Sequence, residues 1–311
     1  MSDDVIAAPS VRVLAQARGI DLEALAARLG RTTLAREDLD AAGSAGQGTG
    51  AATPAGAAAP ATAAPADPAR YWDVDHAAYG PVSTEPRDRF ARAAAANLGA
   101  ANALIPQVTH HDEARVDALE AFRASLKPQA EARGIRLTSL AVHVMALACT
   151  LRDLPDLNVA LSADGASLVR KHHVHIGIAV DTPHGLAVPV IRDADTRGLW
   201  DIAAKIASLA AQARARKLPQ QATGGACMTI SSLGPDGGTG FTPIVNPPEP
   251  AILGLAATRI TPSWTGDGWT PAKTLPIALS YDHRILNGAQ AAIALTAFKN
   301  NLEEPMRMML R

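Results

Sequence analysis

His283 stands where an apolar run, LPIALSYD, gives way to a helix opening at Asn287-Gly288. At such a junction an imidazole has three roles open to it: a satisfied packing residue, a metal ligand or a general base. Asn287, four residues on, can reach the same neighbourhood. Ser231 and Ser232 close a second strand-like run, CMTISSLG, and a long Gly/Pro-rich loop follows through NPPEP at 246–250. Long loops in compact domains are often functional, although this one also suits a subunit contact. No G-x-S-x-G elbow surrounds the serines, which argues against a nucleophile-elbow hydrolase. A hydroxyl without an elbow still serves as a donor to an oxyanion. Two clusters carry further imidazoles: His172, His173 and His175 in KHHVHIG, and His110 and His111 beside Asp112 and Glu113 in THHDE. On a strand His173 and His175 share a face, as two metal ligands would. Neither cluster has H-E-x-x-H or comparable ligand spacing, and satisfied imidazoles on polar strand edges account for both. The glycines of GGTGF lack the strand-to-helix context of a dinucleotide site.

The elements that must position these groups are legible from periodicity. Leu119, Phe122 and Leu126 share one face of a helix over 117–127, and residues 137–151 form a strongly apolar, buried helix. Residues 158–193 read as three strands, with tight turns at Asp164-Gly165 and at DTPHG. Ile202, Ile206, Leu209 and Ala213 keep helical register within 199–217. CMTISSLG, PAILGLAATRI and LPIALSYD are strands, and 288–302 is the last helix. Separate runs of strands and helices give an α/β layer fold of the α+β kind.

Ahead of this lies a miniature helical unit over 8–40. Val11, Leu14 and Ala15 share a face of its first helix, Asp21 caps the second, Gly30 closes it, and a third short element covers 34–39. Some 33 residues bury little, so the unit is marginal alone. Residues 42–70 are almost wholly Ala, Gly, Pro and Thr, and prolines at 54, 60, 65 and 68 interrupt any helix. Such a stretch cannot offset its ordering entropy and reads as a linker.

A net charge of −1 supplies no field for nucleic acid or anionic lipid. No apolar run reaches the length of a membrane span, and the N-terminus lacks a signal pattern. Cys149 and Cys227 lie far apart, which suits neither a disulfide framework nor a zinc ribbon. The expectation is a soluble, cytoplasmic protein.

LSYDHRILNGAQ resembles the H-R-x-x-[DN]-G signature of the dihydrolipoamide acyltransferases, the core components of 2-oxo acid dehydrogenase complexes. IPQVTHHDEARVDALEAFRASLK, VRKHHVHIGIAVDTPHGLAVPVIRD and CMTISSLGPDGGTGFTPIVNPPEPAILG agree as well, so the resemblance covers nearly all of 80–311 in family order. IPQVTHHDEA and GGTGFTPIVNPPE look like the acetyl (pyruvate) branch. The resemblance implies a chloramphenicol-acetyltransferase-like fold over 71–311, and trimers with active sites at subunit interfaces. It further implies trimers gathered into a large, hollow, cubic core. It places the general base on His283, the oxyanion-stabilising serine on Ser231 and the motif's Asp/Asn on Asn287. It also implies coenzyme A as substrate and no permanently bound cofactor or metal.

Residues 1–42 resemble that family's peripheral subunit-binding domain, with 43–70 as its Ala/Pro/Gly linker. The usual GTG-x-x-GR loop is replaced by AARLGRTTL, and Gln16 and Ala17 stand where an Arg-Glu pair is common. Arg12 survives as a contact for the pyruvate dehydrogenase or dihydrolipoamide dehydrogenase component. No DKA-type lipoyl-lysine hairpin occurs, so the lipoyl group is expected from another chain, or the sequence is truncated. Met306, Met308, Met309 and Leu310 suit a greasy tail docking into a neighbouring trimer, with Arg311 opposing it. Two rival readings are a non-catalytic core hub and an acetyl-coenzyme A transferase acting on another small acceptor. The intact His283, Ser231 and HRILNG segment argues against the hub.

Overall fold

Two short helices, α1 (Pro9–Arg18) and α2 (Leu22–Leu29), make the small N-terminal unit. Asp21 accepts hydrogen bonds from the N–H groups of Glu23 (2.9 Å) and Ala24 (3.3 Å), the cap its position implies. Val11, Ala15, Leu25, Ala26, Leu34 and Leu39 form its core. A pairing not expected from the sequence joins β1 (Ile6–Ala7) to β2 (Thr33–Leu34) in parallel. In this computed structural model residues 5–7, 9–29, 32–34, 38–39, 42 and 72–309 are described. Gly30, the linker over 43–70, Leu310, Arg311 and the side chain of Arg12 lie outside the described residues. The chain divides into Met1–Ser83 and Thr84–Arg311.

The larger unit is built on a seven-stranded mixed sheet. Its strands are β3 (Gln107–Arg115), β6 (Ile176–Ile178), β7 (Val190–Ile191), β8 (Met228–Ser232), β9 (Ala251–Leu255), β10 (Arg259–Trp264) and β11 (Trp269–Asp282). Their order is β10-β11-β9-β8-β6-β7, with β3 also on β11. Only β6–β8 and β8–β9 are parallel. A separate hairpin joins β4 (Val159–Leu161) to β5 (Leu168–Arg170) across the Asp164-Gly165 turn, where Gly165 takes φ +72°. PAILGLAATRI, expected as one strand, is nearly so: β9 meets β11 as Leu255↔Ile277 and β10 continues as Arg259↔Thr274. One added residue between them is a bulge.

Helices cover one face of the sheet. These are α4 (Asp117–Ser125), α5 (Lys127–Ala132), α6 (Ser139–Asp153), α7 (Leu199–Arg214) and α8 (Gly288–Glu303), with α3 (Arg89–Leu104) ahead of β3 and α9 (Met306–Met309) at the end. Met228, Leu253 and Leu279 from three adjacent strands meet Leu147 and Leu151 of α6 and Leu295 and Phe298 of α8. The period of two then sends the alternate residues to the opposite face. Across four strands Ser231, Gly254, Ala278 and His111 stand in register there. The 237–250 loop lies directly on that face. A Cβ on Gly254 would come within 3.0 Å of the Phe241 ring and 3.2 Å of Pro243, so only glycine fits.

Candidate active site

The strand β8 carries Ser231 with its side chain on the open face, because Met228 and Ile230 are fully buried on the other. Ser231 is half-buried, and its hydroxyl makes no hydrogen bond among the described residues. It remains available as a donor.

His283 follows the last residue of β11. Its N–H donates to Pro106 O at 3.1 Å, its ring centroid lies 5.7 Å from that of Tyr281, and the residue is exposed. Its two neighbours fix the turn. Asp282 is buried and accepts from Arg284 Nε at 2.9 Å, Arg284 Nη2 at 2.6 Å and the Arg284 N–H at 3.0 Å. The Asp282 N–H in turn donates to Pro250 O at 2.9 Å. Asn287 is the N-cap of α8: its Oδ1 accepts from Gln290 N at 2.9 Å while Gln290 Oε1 accepts from Asn287 N at 3.0 Å. That capping box occupies the side-chain oxygen and leaves the amide N–H₂ without a partner among the described residues.

The register keeps Ser231 and His283 apart within one chain. Ser231 lies opposite Gly254, which lies opposite Ala278, two strands away from it. His283 is a further five residues along the chain from Ala278. At about 4.8 Å between strands and about 3.3 Å per residue, the separation is on the order of 15 Å or more. That distance is too great for both side chains of one chain to touch the same small group.

Beside the His283 turn is a cavity of about 350 Å³, flanked by Leu104 and Ile105 at the end of α3, the Asp164-Gly165 turn, Glu249 and the Asp282–Arg284 pair. Glu249 is a residue that the sequence motifs did not single out. It is buried, and its Oε1 accepts from Thr229 Oγ1 and Asn246 Nδ2, both at 2.9 Å. Burial raises its pKa above that of an ordinary carboxyl, against the opposing pull of those two donors and of Lys171. A glutamate flanked by prolines in an apolar loop was the available signal.

The expected satisfied imidazoles are not found throughout the histidine clusters: His110 Nδ1 is buried without a hydrogen-bond partner. His173 and His175 stack at 4.2 Å between centroids, and His175 Nδ1 accepts the Asp193 N–H at 3.0 Å. Burial lowers the His175 pKa. On β3, His111 faces the open side, and Asp112 on the other face pairs with Lys299 of α8 at 2.7 Å. Among the described residues no group of three or more His, Cys, Asp or Glu is arranged to hold a metal ion. No described helix is long and apolar enough to cross a membrane.

Residues 79–310 match the catalytic-domain profile of the 2-oxoacid dehydrogenases acyltransferase family. The chain belongs to that acyltransferase family. A curated relative from Pseudomonas aeruginosa, the dihydrolipoyllysine-residue acetyltransferase component of pyruvate dehydrogenase complex, is 43% identical over 298 residues, covering 93% of this chain and 52% of the relative. Among solved structures, the dihydrolipoamide acetyltransferase of Azotobacter vinelandii superposes with a TM-score of 0.74 at 45% identity, over 76% of this chain and 97% of that one. A structure of the cubic core of the pyruvate dehydrogenase multienzyme complex matches with the same values. The chain spans about half the length of the curated relatives it matches. These likenesses bear out the α+β acyltransferase fold. The Azotobacter work concerns a serine, a histidine and an asparagine in that enzyme's catalytic mechanism. In this acyltransferase, Ser231, His283 and Asn287 stand at the same two intervals along the chain.

Proposed function

We propose that the chain is a dihydrolipoamide acetyltransferase, moving acetyl between a dihydrolipoyl group and coenzyme A in a pyruvate dehydrogenase complex. The observation that carries the reading is the pair of half-sites. An exposed imidazole and an unengaged serine hydroxyl hold the intervals of the acetyltransferase triad, at opposite ends of one sheet. A second copy of the chain brings the halves together. We therefore read the protein as a homotrimer with its sites between subunits, assembled further into a cubic core.

The chemistry follows from the groups present. A coenzyme A thiol, ordinarily titrating near the ~8.5 of a free thiol, is mostly protonated at neutral pH. His283 takes that proton as the sulfur attacks the acetyl thioester, and a C–S bond forms as the carbonyl π pair moves to oxygen. The neighbouring chain's Ser231 hydroxyl donates to the resulting oxyanion. Collapse re-forms the carbonyl and expels the dihydrolipoyl sulfur, which recovers the proton from His283. Asn287 positions the start of α8 beneath the histidine turn. The transfer uses coenzyme A as a substrate, and no bound cofactor takes part.

The remaining assignments complete this reading. Residues 71–311 are the acyltransferase domain, 43–70 a linker, and 1–42 a degenerate peripheral subunit-binding domain. Through Arg12, that domain meets the pyruvate dehydrogenase or dihydrolipoamide dehydrogenase component. The acetyl-bearing lipoyl group comes from a lipoyl domain on another chain. We place the protein in the cytoplasm, where its two buried cysteines stay reduced.

The test is acetyl transfer from acetyl-coenzyme A to free dihydrolipoamide by wild type and His283→Ala. We expect turnover in the wild type and a loss of about 10²–10⁴-fold in the variant. A folded, assembled wild type that acetylates no dihydrolipoamide refutes the assignment.

A further inference from the structure

Glu249 occupies a place that the acyl-transfer scheme leaves unexplained. A carboxyl group is costly to bury, and this one, 4% exposed, keeps Oε2 without a hydrogen-bond partner. Such a group is retained for what its other oxygen holds. Oε1 receives Thr229 Oγ1, and Thr229 lies two residues before Ser231 on the same face of β8. Space for that hydroxyl is kept by Gly177 on β6, where a Cβ would sit only 2.3 Å from Thr229 Oγ1. Oε1 also receives Asn246 Nδ2, and Asn246 Oδ1 accepts from Asn97 Nδ2 of α3 at 3.0 Å. The residue after Glu249 is Pro250, whose carbonyl receives the Asp282 N–H next to His283. One side chain thus stands between the strand bearing the serine and the turn bearing the histidine.

We propose that Glu249 is a positioning residue for acyl transfer, tying the Ser231 strand to the loop that seats the His283 turn. The proposal rests on the acetyltransferase reading above. Because the serine and histidine of one chain belong to different sites in the assembled protein, the tie mechanically joins two neighbouring sites. Burial raises its pKa, while the Asn246 and Thr229 donors and the Lys171 ammonium, which donates from Nζ to Ala226 O at 3.3 Å, act in the opposite direction. Cys227 lies within its reach, and burial raises the pKa of that thiol. Asp282 and Arg284 border the same cavity and satisfy each other. A glutamine keeps an oxygen where Oε1 accepts from Thr229 Oγ1 and Asn246 Nδ2, so an amide of the same shape should replace the carboxyl, whereas a methyl should not.

The experiment compares Glu249→Gln, Glu249→Ala and Thr229→Val in acetyl transfer from acetyl-coenzyme A to free dihydrolipoamide, with assembly and melting measured for each. We expect Glu249→Gln to keep kcat within about threefold of wild type. Glu249→Ala and Thr229→Val should lower kcat about tenfold or more, with KM for either substrate moving less than kcat. If Glu249→Ala fails to assemble, Thr229→Val carries the test, since it removes one donor without changing volume. An assembled Ala or Val variant with wild-type kcat overturns the proposal, as does a Gln variant as impaired as Ala. A wild type that transfers no acetyl removes the acetyltransferase reading itself. An active wild type with unaffected variants removes only the role of Glu249.

Discussion

Mixing two dead variants should restore activity. Ser231→Ala removes the oxyanion donor, at a cost of about 10²–10³ in rate, and His283→Ala removes the base. Neither homo-oligomer should exceed about 1% of wild type. The register places the two residues on the order of 15 Å or more apart in one chain, so the proposed site takes its serine from one subunit and its histidine from the next. When the variants are unfolded together at equal amounts and reassembled, a junction is competent only where a serine-intact chain meets a histidine-intact one. Random assembly of any closed ring makes that about one junction in four. The expected activity is therefore about a quarter of wild type, well above either variant alone. The assay is acetyl transfer to dihydrolipoamide, with separately mixed but unexchanged oligomers as the blank. Activity no higher than that blank, in a population shown by mass to be mixed, refutes the division of the site between chains.

Two further outcomes are expected. His143, buried in α6, has its pKa pushed down to about 4 by burial, with Glu120 partly opposing, against an ordinary 6.5. Its neutral form contributes fully above pH 6.5, and about 3 kcal/mol of stability is lost as pH falls from 6.5 to about 4; urea unfolding of wild type and His143→Leu across that window should show the difference closing at neutral pH. Asn287→Ala breaks the capping box of α8 and should cost about 1 kcal/mol, read as a Tm lower by about 2–4 °C, whereas Asn287→Asp keeps the cap.

The parts of the fold that obey one period were legible in the sequence. The buried helix α6, the helix α7 with Ile202, Leu209 and Ala213 inward, and the capped start of α8 follow from apolar spacing and end signals. β3 was read no further than a polar strand edge. Its residues His110 to Glu113 look like a ligand cluster because the strand is polar on both faces, one bridged to α8 by Asp112–Lys299 and the other open. α3 escaped because its alanines give propensity without an apolar stripe. Sequence motifs singled out Ser231, His283 and Asn287 as candidates but could not give the distance between Ser231 and His283, which comes from pairing across three strands. Asn287 was read as a neighbour of His283, and its side chain caps α8. Glu249 was hidden in a proline run, since nothing local reveals that the 245–250 loop folds back onto Thr229.

The sparse footing of α3 bears on timescale. Of its sixteen residues only Ala101 is buried, so the helix holds by backbone hydrogen bonds and alanine propensity with little side-chain anchorage. Such a segment opens by itself, far more often than the sheet does, and its amide protons should exchange ahead of those of β8, β9 and β11. Asn97 rides on it. Each opening of α3 releases the Asn97–Asn246 bond and loosens the outermost link of the chain that runs through Glu249 to Thr229. The clock of that helix, rather than any motion of the sheet, then sets how often the serine strand loses its outer brace.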